Sequence, residues 1–439
     1  MERESSQPLM KGRERVFLVG LMKETQSRAD YFQSMEELAQ LASTAEAEEI
    51  GRFVQKAAKP NPATYIGKGK VAEIKEEAER QDVTTLIFND NLSPAQARNL
   101  SNMTHCSVVD RTELILDIFA RHAQTRQAKY QVELAQLEYN YTKLRNLWKH
   151  LSRIQGGIGF RGPGEKQIEL DRREIKRKIG QLKLRLREIE KGAVLKRSGR
   201  AGFTSVALVG YTNAGKSTLF NRLAKENLYV ADKLFATLDA TTRAVHLPSG
   251  EKVVLTDTIG FIDKLPHQLV SSFHSTLMEV VEADLLLHVV DVTHPRLFEY
   301  IDSVNQVLSE LEVHDKNTLM VFNKIDQLKG LRASFMRKKL LVDYPHAVFI
   351  SAKYDPALDP LFERMDYFLT QRKKVATLHV PASMQNLLSF LYDNAEVLDR
   401  EYDTEANAEV IKVRIPPETY NSVVKQIEKH RLAMLPDSE

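Results

Sequence analysis

The amino-acid sequence predicts a multidomain α/β protein whose mainly parallel sheets carry helices on both faces. Short apolar runs typical of β-strands alternate with helix-like segments through residues 1–122 and again through residues 201–373. Between these two regions, residues 123–200 hold two long helical patterns. We therefore expect an N-terminal α/β domain (1–122), a helical hairpin (123–200), a central α/β domain (201–373) and a small C-terminal α/β domain (374–439).

The N-terminal domain is predicted from its alternation of strands and helices, which implies a parallel sheet. We expect strands at residues 16–19, 52–54, 86–88 and 108–109. Helices are expected at residues 31–41, from Ser93 with Pro94 at its first position, and from Thr112. A glycine turn at residues 65–70 precedes a further helix. For this turn we favour a structural or RNA-backbone role over a second nucleotide site, because Gly-x-Gly alone is a weak signal.

The hairpin is strongly basic. Residues 141–200 carry 18 Lys and Arg against 6 Asp and Glu, a local net charge of +12 in a chain whose total is only +3. Apolar residues recur at steps of three and four along both arms: Leu134, Leu137, Tyr141, Leu144, Trp148 and Leu151, then Ile175, Ile179, Leu182, Leu186, Ile189 and Ala193. This spacing predicts two helices that share a narrow apolar seam.

A glycine-rich segment at residues 156–164 separates the two arms, and no helix is expected to cross it. The result is an antiparallel hairpin with arms of about 30 residues, or roughly 45 Å. A run of cations often only solvates a helix face. The one-sided charge and the aromatic Phe160 at the tip favour RNA binding instead, with candidate contacts from Arg153, Phe160, Arg161 and Lys166.

The central domain opens with the order strand, glycine-rich loop, helix that a nucleotide-phosphate site requires. The loop is Gly210-Tyr211-Thr212-Asn213-Ala214-Gly215-Lys216-Ser217. Its glycines let several backbone N–H groups point at one anion, and the next helix adds its positive N-terminal end. Lys216 is expected to reach the β- and γ-phosphates, and the Ser217 hydroxyl to coordinate Mg²⁺.

Three later motifs follow apolar runs in the order that specifies GTP. Asp257-Thr258-Ile259-Gly260 places Asp257 to hold Mg²⁺ through water, and the Gly260 N–H near the γ-phosphate. In Asn323-Lys324-Ile325-Asp326, Asp326 can accept hydrogen bonds from the N1–H and N2–H₂ of guanine. Adenine has no such pair of donors and would leave this carboxylate unpaired. Ser351-Ala352-Lys353 offers backbone N–H groups to the guanine O6.

Residues 203–373 therefore resemble the translation-factor-related branch of the P-loop GTPases. Leu234-Phe235-Ala236-Thr237-Leu238-Asp239 resembles switch I of that branch, which implies that Thr237 is a second hydroxyl ligand of Mg²⁺; the alternative is a threonine that caps a turn. Catalytic roles are expected for Lys216, Thr237 and Gly260, and metal coordination for Ser217 and Thr237. The expected nucleotide-binding residues are Gly210, Tyr211, Thr212, Asn213, Ala214, Gly215, Lys216, Ser217, Thr218, Phe235, Ala236, Thr237, Leu238, Asp239, Asp257, Thr258, Ile259, Gly260, Asn323, Lys324, Ile325, Asp326, Ser351, Ala352 and Lys353.

Phe261 departs from the pattern of many GTPases, which carry at this position a glutamine that orients the attacking water. A phenylalanine ring cannot make that hydrogen bond. We therefore expect slow intrinsic hydrolysis that a partner stimulates. Asn213 matches the position that binds K⁺ in some related GTPases, although asparagine also simply favours tight turns.

Composition favours a cytoplasmic protein. Apolar residues make up 43% of the 439-residue chain, and the single cysteine, Cys106, excludes an internal disulfide framework. No apolar run has the length of a membrane anchor, so any association with a membrane would be peripheral. We expect a monomer. Histidines are scattered without the spacing of a zinc site.

The chain as a whole resembles the HflX family. The resemblance lies in Asp110-Arg111-Thr112, residues 116–120 and 131–137, the glycine loop with Glu165, and the phosphate loop. It implies a GTPase that binds the large ribosomal subunit and its rRNA near the peptidyl-transferase centre, enters the RNA with the hairpin, and splits stalled or idle ribosomes. The alternative is an RNA-remodelling or ribosome-maturation chaperone whose GTPase domain only times RNA binding.

Overall fold

In the computed structural model of the protein, the described residues form three β-sheets. The structure describes residues 13–154, 163–198, 204–225, 234–235, 241–262, 273–313, 316–356, 358–404, 406–415, 420 and 423–428. These residues form two compact units. The first contains the described residues up to Glu190, together with Leu234, Phe235 and those of 259–277; the second contains the rest. Within the described helices, none is long and apolar enough to span a bilayer.

The N-terminal part alternates strands and helices, as the sequence predicts. Its elements are β1 (Arg15–Met22), α1 (Arg28–Thr44), β2 (Glu48–Lys56), α2 (Lys68–Arg80), β3 (Thr85–Phe88), α3 (Pro94–Thr104), β4 (Ser107–Asp110) and α4 (Arg111–His122). The four strands pair in parallel in the order β2-β1-β3-β4. The parallel sheet expected from the alternation is thus confirmed.

Two of the predicted helices in this part, α3 and α4, begin with a side-chain cap. Ser93 accepts a hydrogen bond from the Gln96 N–H and Gln96 returns one to the Ser93 N–H, with Pro94 as the first helical residue of α3. Asp110 and Glu113 make the same reciprocal pair, so α4 begins at Arg111 rather than at the predicted Thr112. Cys106 is buried beside these elements, and burial raises the pKa of its thiol.

Two long helices follow, α5 (Arg126–Ile154) and α6 (Pro163–Ser198). Leu134, Leu182 and Leu186 are buried between them, as the seam predicts. Arg185 lies over the ring of Tyr130, and Arg172 lies over the ring of Tyr141. A later residue of α5 thus contacts an earlier residue of α6. The helices are therefore antiparallel. The segment 155–162 lies outside the described residues.

The central sheet has six strands in the order β10-β9-β8-β5-β7-β6, and only the β6–β7 pair is antiparallel. Its elements are β5 (Thr204–Val209), α7 (Lys216–Ala224), β6 (Thr241–His246), β7 (Lys252–Asp257), α8 (His274–Glu282), β8 (Leu285–Asp291), α9 (Leu297–Glu310), β9 (Thr318–Asn323), a 3₁₀ turn (Ile325–Gln327), α10 (Gly330–Asp343), β10 (Val348–Phe349) and α11 (Asp359–Arg372). Apolar side chains of β5, β7, β8 and β9 form its core.

The C-terminal part is a three-stranded antiparallel sheet in the order β11-β13-β12, covered by a helix. Its elements are β11 (Lys374–Pro381), α12 (Gln385–Asn394), β12 (Glu396–Asp403) and β13 (Ala408–Ile415). The apolar runs at residues 378–381 and 410–414 predict two strands and residues 384–395 a helix, which are β11, β13 and α12, but the sequence does not predict β12. Of the further helix that the sequence predicts at residues 418–430, the structure describes 420 and 423–428, which are helical, with Val423 and Ile427 buried in the same core.

Candidate nucleotide-binding site

The glycine-rich loop Gly210–Ser217 joins β5 to α7 in a conformation that only glycine tolerates at two positions. Gly210 and Gly215 have φ angles of 147° and 96°. A Cβ at Gly210 would collide with the backbone oxygen of Val289, and one at Gly215 with the side-chain amide of Asn323. Asn213 also has a positive φ, of 59°. Such a sequence of backbone conformations turns N–H groups inward and forms an anion-binding concavity.

Lys216 is fully buried at the start of α7. Its ammonium donates hydrogen bonds to the backbone oxygens of Gly210 and Tyr211, at 3.0 and 2.8 Å. Burial lowers the pKa of Lys216 to about 8, although the nearby charge of Asp257 raises it. The amine is therefore held inside the loop, where a phosphate group would favour its charged form.

Asp257 ends β7 at the edge of the sheet where the phosphate loop begins, since it pairs in register with Leu208 of β5. The next residue, Thr258, donates its hydroxyl to the Leu208 backbone oxygen at 2.5 Å and fixes the end of the strand. Asp257 supplies a carboxylate and Ser217 a hydroxyl, which are oxygen donors of the kind that Mg²⁺ prefers. The donor chemistry of these residues fits a magnesium ion bound with nucleotide phosphates.

His288 of β8 is also fully buried, opposite Val209 in the neighbouring strand. Burial, and after it the charge of Lys216, lowers the pKa of this histidine to about 3. A neutral imidazole next to Lys216 adds no second positive charge beneath the phosphate loop. The sequence offers no signal for this residue, because it stands inside an ordinary apolar run.

Asn323 connects the phosphate loop to the last motif. Its side-chain N–H donates to the Ala214 backbone oxygen at 2.8 Å, and its side-chain oxygen accepts the Ala352 N–H at 2.8 Å. The neighbouring Lys324 forms an ion pair with Asp291 at 2.8 Å. These contacts join the ends of β8, β9 and β10, which neighbour one another in the sheet.

Asp326 accepts a hydrogen bond from the Ser351 hydroxyl at 2.6 Å, from a residue 25 positions away in the sequence. The Ser351 N–H in turn donates to Asp355 at 2.5 Å. Two carboxylates thus hold Ser351 in place, and Ser351 orients one of them. Sequence reasoning assigns only backbone N–H groups to this serine and does not identify Asp355.

An aromatic stack flanks the phosphate loop. The rings of Tyr211 and Tyr300 lie 3.6 Å apart and almost parallel, and His294 stacks on Tyr300 at 4.2 Å. Arg296 lies over Tyr300 at 5.8 Å. The stack ties the second residue of the loop to α9. No spacing in the sequence predicts it.

The switch residues are described only in part. Phe235 and Phe261 are buried within the first unit, to which Ile259 and Gly260 also belong. Ala236, Thr237, Leu238 and Asp239 lie outside the described residues. Phe160 and Arg161 of the hairpin tip also lie outside the described residues. Arg153 lies in α5 and Lys166 in α6, and of these two residues only the backbone is described.

Three family models cover consecutive parts of the chain. They are GTP-binding GTPase N-terminal over residues 32–120, GTP-binding GTPase Middle Region over residues 122–200, and 50S ribosome-binding GTPase over residues 205–324. A solved structure of a GTP-binding protein from the archaeon Sulfolobus solfataricus in complex with GDP is 27% identical and covers 82% of this chain and 99% of its own, with a TM-score of 0.43.

Two bacterial relatives match over most of their length. A GTPase HflX of Flavobacterium psychrophilum is 48% identical over 72% of this chain and 77% of its own. A GTPase HflX of Caldanaerobacter subterraneus is 44% identical over 90% of both chains. With this identity, and with a phosphate loop and base motif already in place, the chain belongs to the HflX family of GTPases and hydrolyses GTP.

Proposed function

We propose that the protein is a GTP-hydrolysing switch that binds the large ribosomal subunit through its α5–α6 hairpin and splits stalled or idle ribosomes into subunits. The observation that carries this proposal is the one-sided charge on the described outer surface of α6. Between residues 170 and 192 the exposed acidic residues are Glu174 and Glu188. The exposed cations of the same segment are Arg173, Lys176, Arg177, Lys178, Lys183, Arg185, Arg187 and Lys191.

A rod with this charge suits the phosphate backbone of folded RNA. Cations that neutralise phosphates release condensed counterions, which makes such binding strong at low salt. Several of the cations make contacts within the hairpin: Lys178 pairs with Glu174 at 3.1 Å, Lys183 pairs with Glu138 at 2.7 Å, and Arg185 lies over the ring of Tyr130. Both lysines remain about half exposed, so the pairs leave them accessible to RNA. The name of the matched family model, 50S ribosome-binding GTPase, supports the large subunit as the partner.

Within this proposal the phosphate loop, the Asp-x-x-Gly motif and the base motif bind GTP together with Mg²⁺. Lys216 neutralises the β- and γ-phosphates, and Asp326, held by Ser351, accepts the guanine N–H groups. Ser217 and Thr237, and Asp257 through a water, would hold a Mg²⁺ ion, which would supply positive charge at the phosphate oxygens. Asn213 would contribute to the binding of K⁺ in the same loop.

Release follows hydrolysis, and the timing depends on Phe261. Its side chain is only 3% exposed and has no group that binds water. A water-orienting group from the ribosome would therefore complete the catalytic site. Binding would then precede hydrolysis, and the hairpin would leave the RNA once the γ-phosphate no longer holds Thr237.

Sedimentation of intact ribosomes tests the proposal. With the protein and a non-hydrolysable GTP analogue, we expect subunits at the expense of intact ribosomes, and little splitting with GDP. Ribosomes that stay intact with every nucleotide would contradict splitting. If the protein then sediments with precursor particles or protects free rRNA instead, the RNA-remodelling and maturation function replaces it.

A further inference from the structure

The ring of Phe119 on α4 contacts two segments that flank the nucleotide motifs. Its centroid lies 4.5 Å from that of Phe235 and 5.3 Å from that of Phe273. All three side chains are at most 3% exposed and belong to the first unit. Phe235 stands two residues before Thr237, and Phe273 follows the Asp-x-x-Gly motif by 13 residues. One side chain of the N-terminal part thus packs against residues beside both segments that are expected to sense the γ-phosphate.

The opposite end of the same helix holds the hairpin. Tyr139 of α5 donates its hydroxyl to Asp110, the capping residue of α4, at 2.6 Å. Lys143 of α5 lies 3.0 Å from Asp110 and 2.7 Å from Glu113. Asp110 is completely buried. Burial of the Tyr139 hydroxyl, and after it the negative charge of Asp110, raises the pKa of Tyr139. The hydroxyl therefore keeps its proton and the bond at any physiological pH.

We infer that α4 couples the nucleotide state to the hairpin, with Phe119 as the contact at one end and the Asp110–Tyr139–Lys143 cluster as the contact at the other. Buried rings at interior packing density cannot move one at a time, so a change in either flanking segment repacks the others. A helix transmits such a shift over its length, here about 14 Å between positions 110 and 119. From Lys143 the arm runs on to Ile154 towards the tip.

The inference rests on the proposed function for its partner, the large ribosomal subunit. It makes a quantitative statement through linkage: nucleotide changes the affinity for the subunit by the same factor by which the subunit changes the affinity for nucleotide. Such coupling factors are typically about 5 to 150. Weakening either contact of α4 should bring the factor towards one, whichever nucleotide favours binding.

The test compares the dissociation constant of the protein for purified large subunits with GDP and with a non-hydrolysable GTP analogue. Phe119→Leu trims the ring that contacts Phe235 and Phe273. Tyr139→Phe combined with Lys143→Met removes the contact at the other end. We expect each variant to lower the ratio of the two dissociation constants by at least about threefold, which is a measurable change against coupling factors of about 5 to 150.

Phe17→Leu is the matched control. Phe17 is fully buried in β1, packs against Phe53, and pairs through its strand with β2 and β3 in the same part of the fold. The exchange removes a similar volume from the core at a distance in the sheet from Asp110 of β4, so the ratio should stay that of the wild type. The variant that combines Tyr139→Phe with Lys143→Met, at the hairpin end of α4, keeps the test decisive if Phe119→Leu fails to fold.

A second measurement needs no ribosome. Amide hydrogen exchange of residues 139–154 should differ between the GDP form and the analogue form of the free protein, and Phe119→Leu should abolish the difference. If the wild-type protein binds no large subunit, the proposed function is contradicted. If it still shows the exchange difference, and Phe119→Leu abolishes that difference, the coupling is supported. Nucleotide-dependent binding that is unchanged in both variants overturns the coupling and leaves the proposed function intact.

Discussion

The side-chain amide of Asn323 donates to the backbone oxygen of Ala214, 109 residues earlier in the chain, at 2.8 Å. Its oxygen accepts the Ala352 N–H at the same time. The phosphate loop and the base motif are therefore joined by hydrogen bonds through Asn323, so a change in the conformation of one affects the other.

Asn323→Ala should weaken both GTP and GDP binding. It leaves two buried backbone groups unpaired, so the phosphate loop and the base motif relax from the conformation that binds nucleotide. Restoring that conformation in the complex costs about 1–3 kcal/mol, a loss of affinity of roughly 5- to 150-fold. Titration with fluorescent GTP and GDP measures both constants. Equal affinities in variant and wild type would show that the loop keeps its shape without Asn323.

Asp326→Asn should change the base preference from guanine to xanthine. The amide presents a donor where the guanine N–H groups need an acceptor, whereas xanthine offers a carbonyl oxygen there. Competition of XTP and GTP for the site measures the exchange. Ser351→Ala, which removes the hydroxyl that holds Asp326, should weaken GTP without a gain for XTP. If GTP affinity is unchanged in Asp326→Asn, the guanine assignment is wrong.

Nucleotide affinity should fall as pH rises above about 8. In the free site burial holds the pKa of Lys216 at about 8, whereas phosphate oxygens favour its charged form and raise the pKa in the complex. Below pH 8 the lysine is already protonated, so affinity is constant there. Above it, binding must take up a proton, and affinity decreases by up to about tenfold per pH unit.

Calorimetry in buffers of different ionisation enthalpy measures this proton uptake between pH 7 and 9. Lys216→Arg is the control, because a guanidinium stays charged over the whole range and should bind with no such uptake. A wild-type affinity that is flat to pH 9 would place the pKa of Lys216 well above 8.

Phe261→Gln should not restore fast intrinsic hydrolysis. The position is buried, so a glutamine amide would lose water without reaching the γ-phosphate, at a cost of about 1–3 kcal/mol. Phosphate release by purified protein, with and without ribosomal subunits, measures this. We expect slow turnover alone and faster turnover with subunits in the wild type. Full-speed turnover without ribosomes would remove the need for a partner.

Phe160→Ala with Arg161→Ala should weaken binding to the large subunit and abolish splitting, while GTP affinity stays unchanged. A stacked base is worth roughly 1–3 kcal/mol, and the lost arginine should make the salt dependence shallower. Arg173→Ala, on the exposed face of α6, is the control and should reduce only the salt-dependent part. Normal splitting by the tip variant would make the tip a mere connector.

Local patterns account for much of this fold. The strand that the sequence predicts immediately before the glycine-rich loop is β5, because its apolar residues are buried within the sheet. The missed strand β12 carries charged residues along most of its length and pairs on one side only, with β13, so that packing does not impose an apolar pattern. The sequence does not predict the burial of Arg111 either, because this burial depends on a 2.6 Å ion pair with Glu37 from another helix.

The candidate site divides in the same way. Motif residues such as Lys216 and Asp326 are recognisable because ligand chemistry fixes both their type and their spacing. The groups that hold them, such as Tyr300 stacked on Tyr211, come from distant elements and meet only in the folded chain. No local pattern selects such partners, so they could be found only in the structure.

The buried thiol of Cys106 makes the protein well suited to fluorescence spectroscopy. It is the sole cysteine of the chain, it is 4% exposed, and burial raises its pKa, so little reactive thiolate is present at neutral pH. A cysteine introduced at exposed Lys176 on α6 should therefore react with a maleimide dye almost alone. The hairpin could then be followed during a single round of GTP hydrolysis without replacement of the native cysteine.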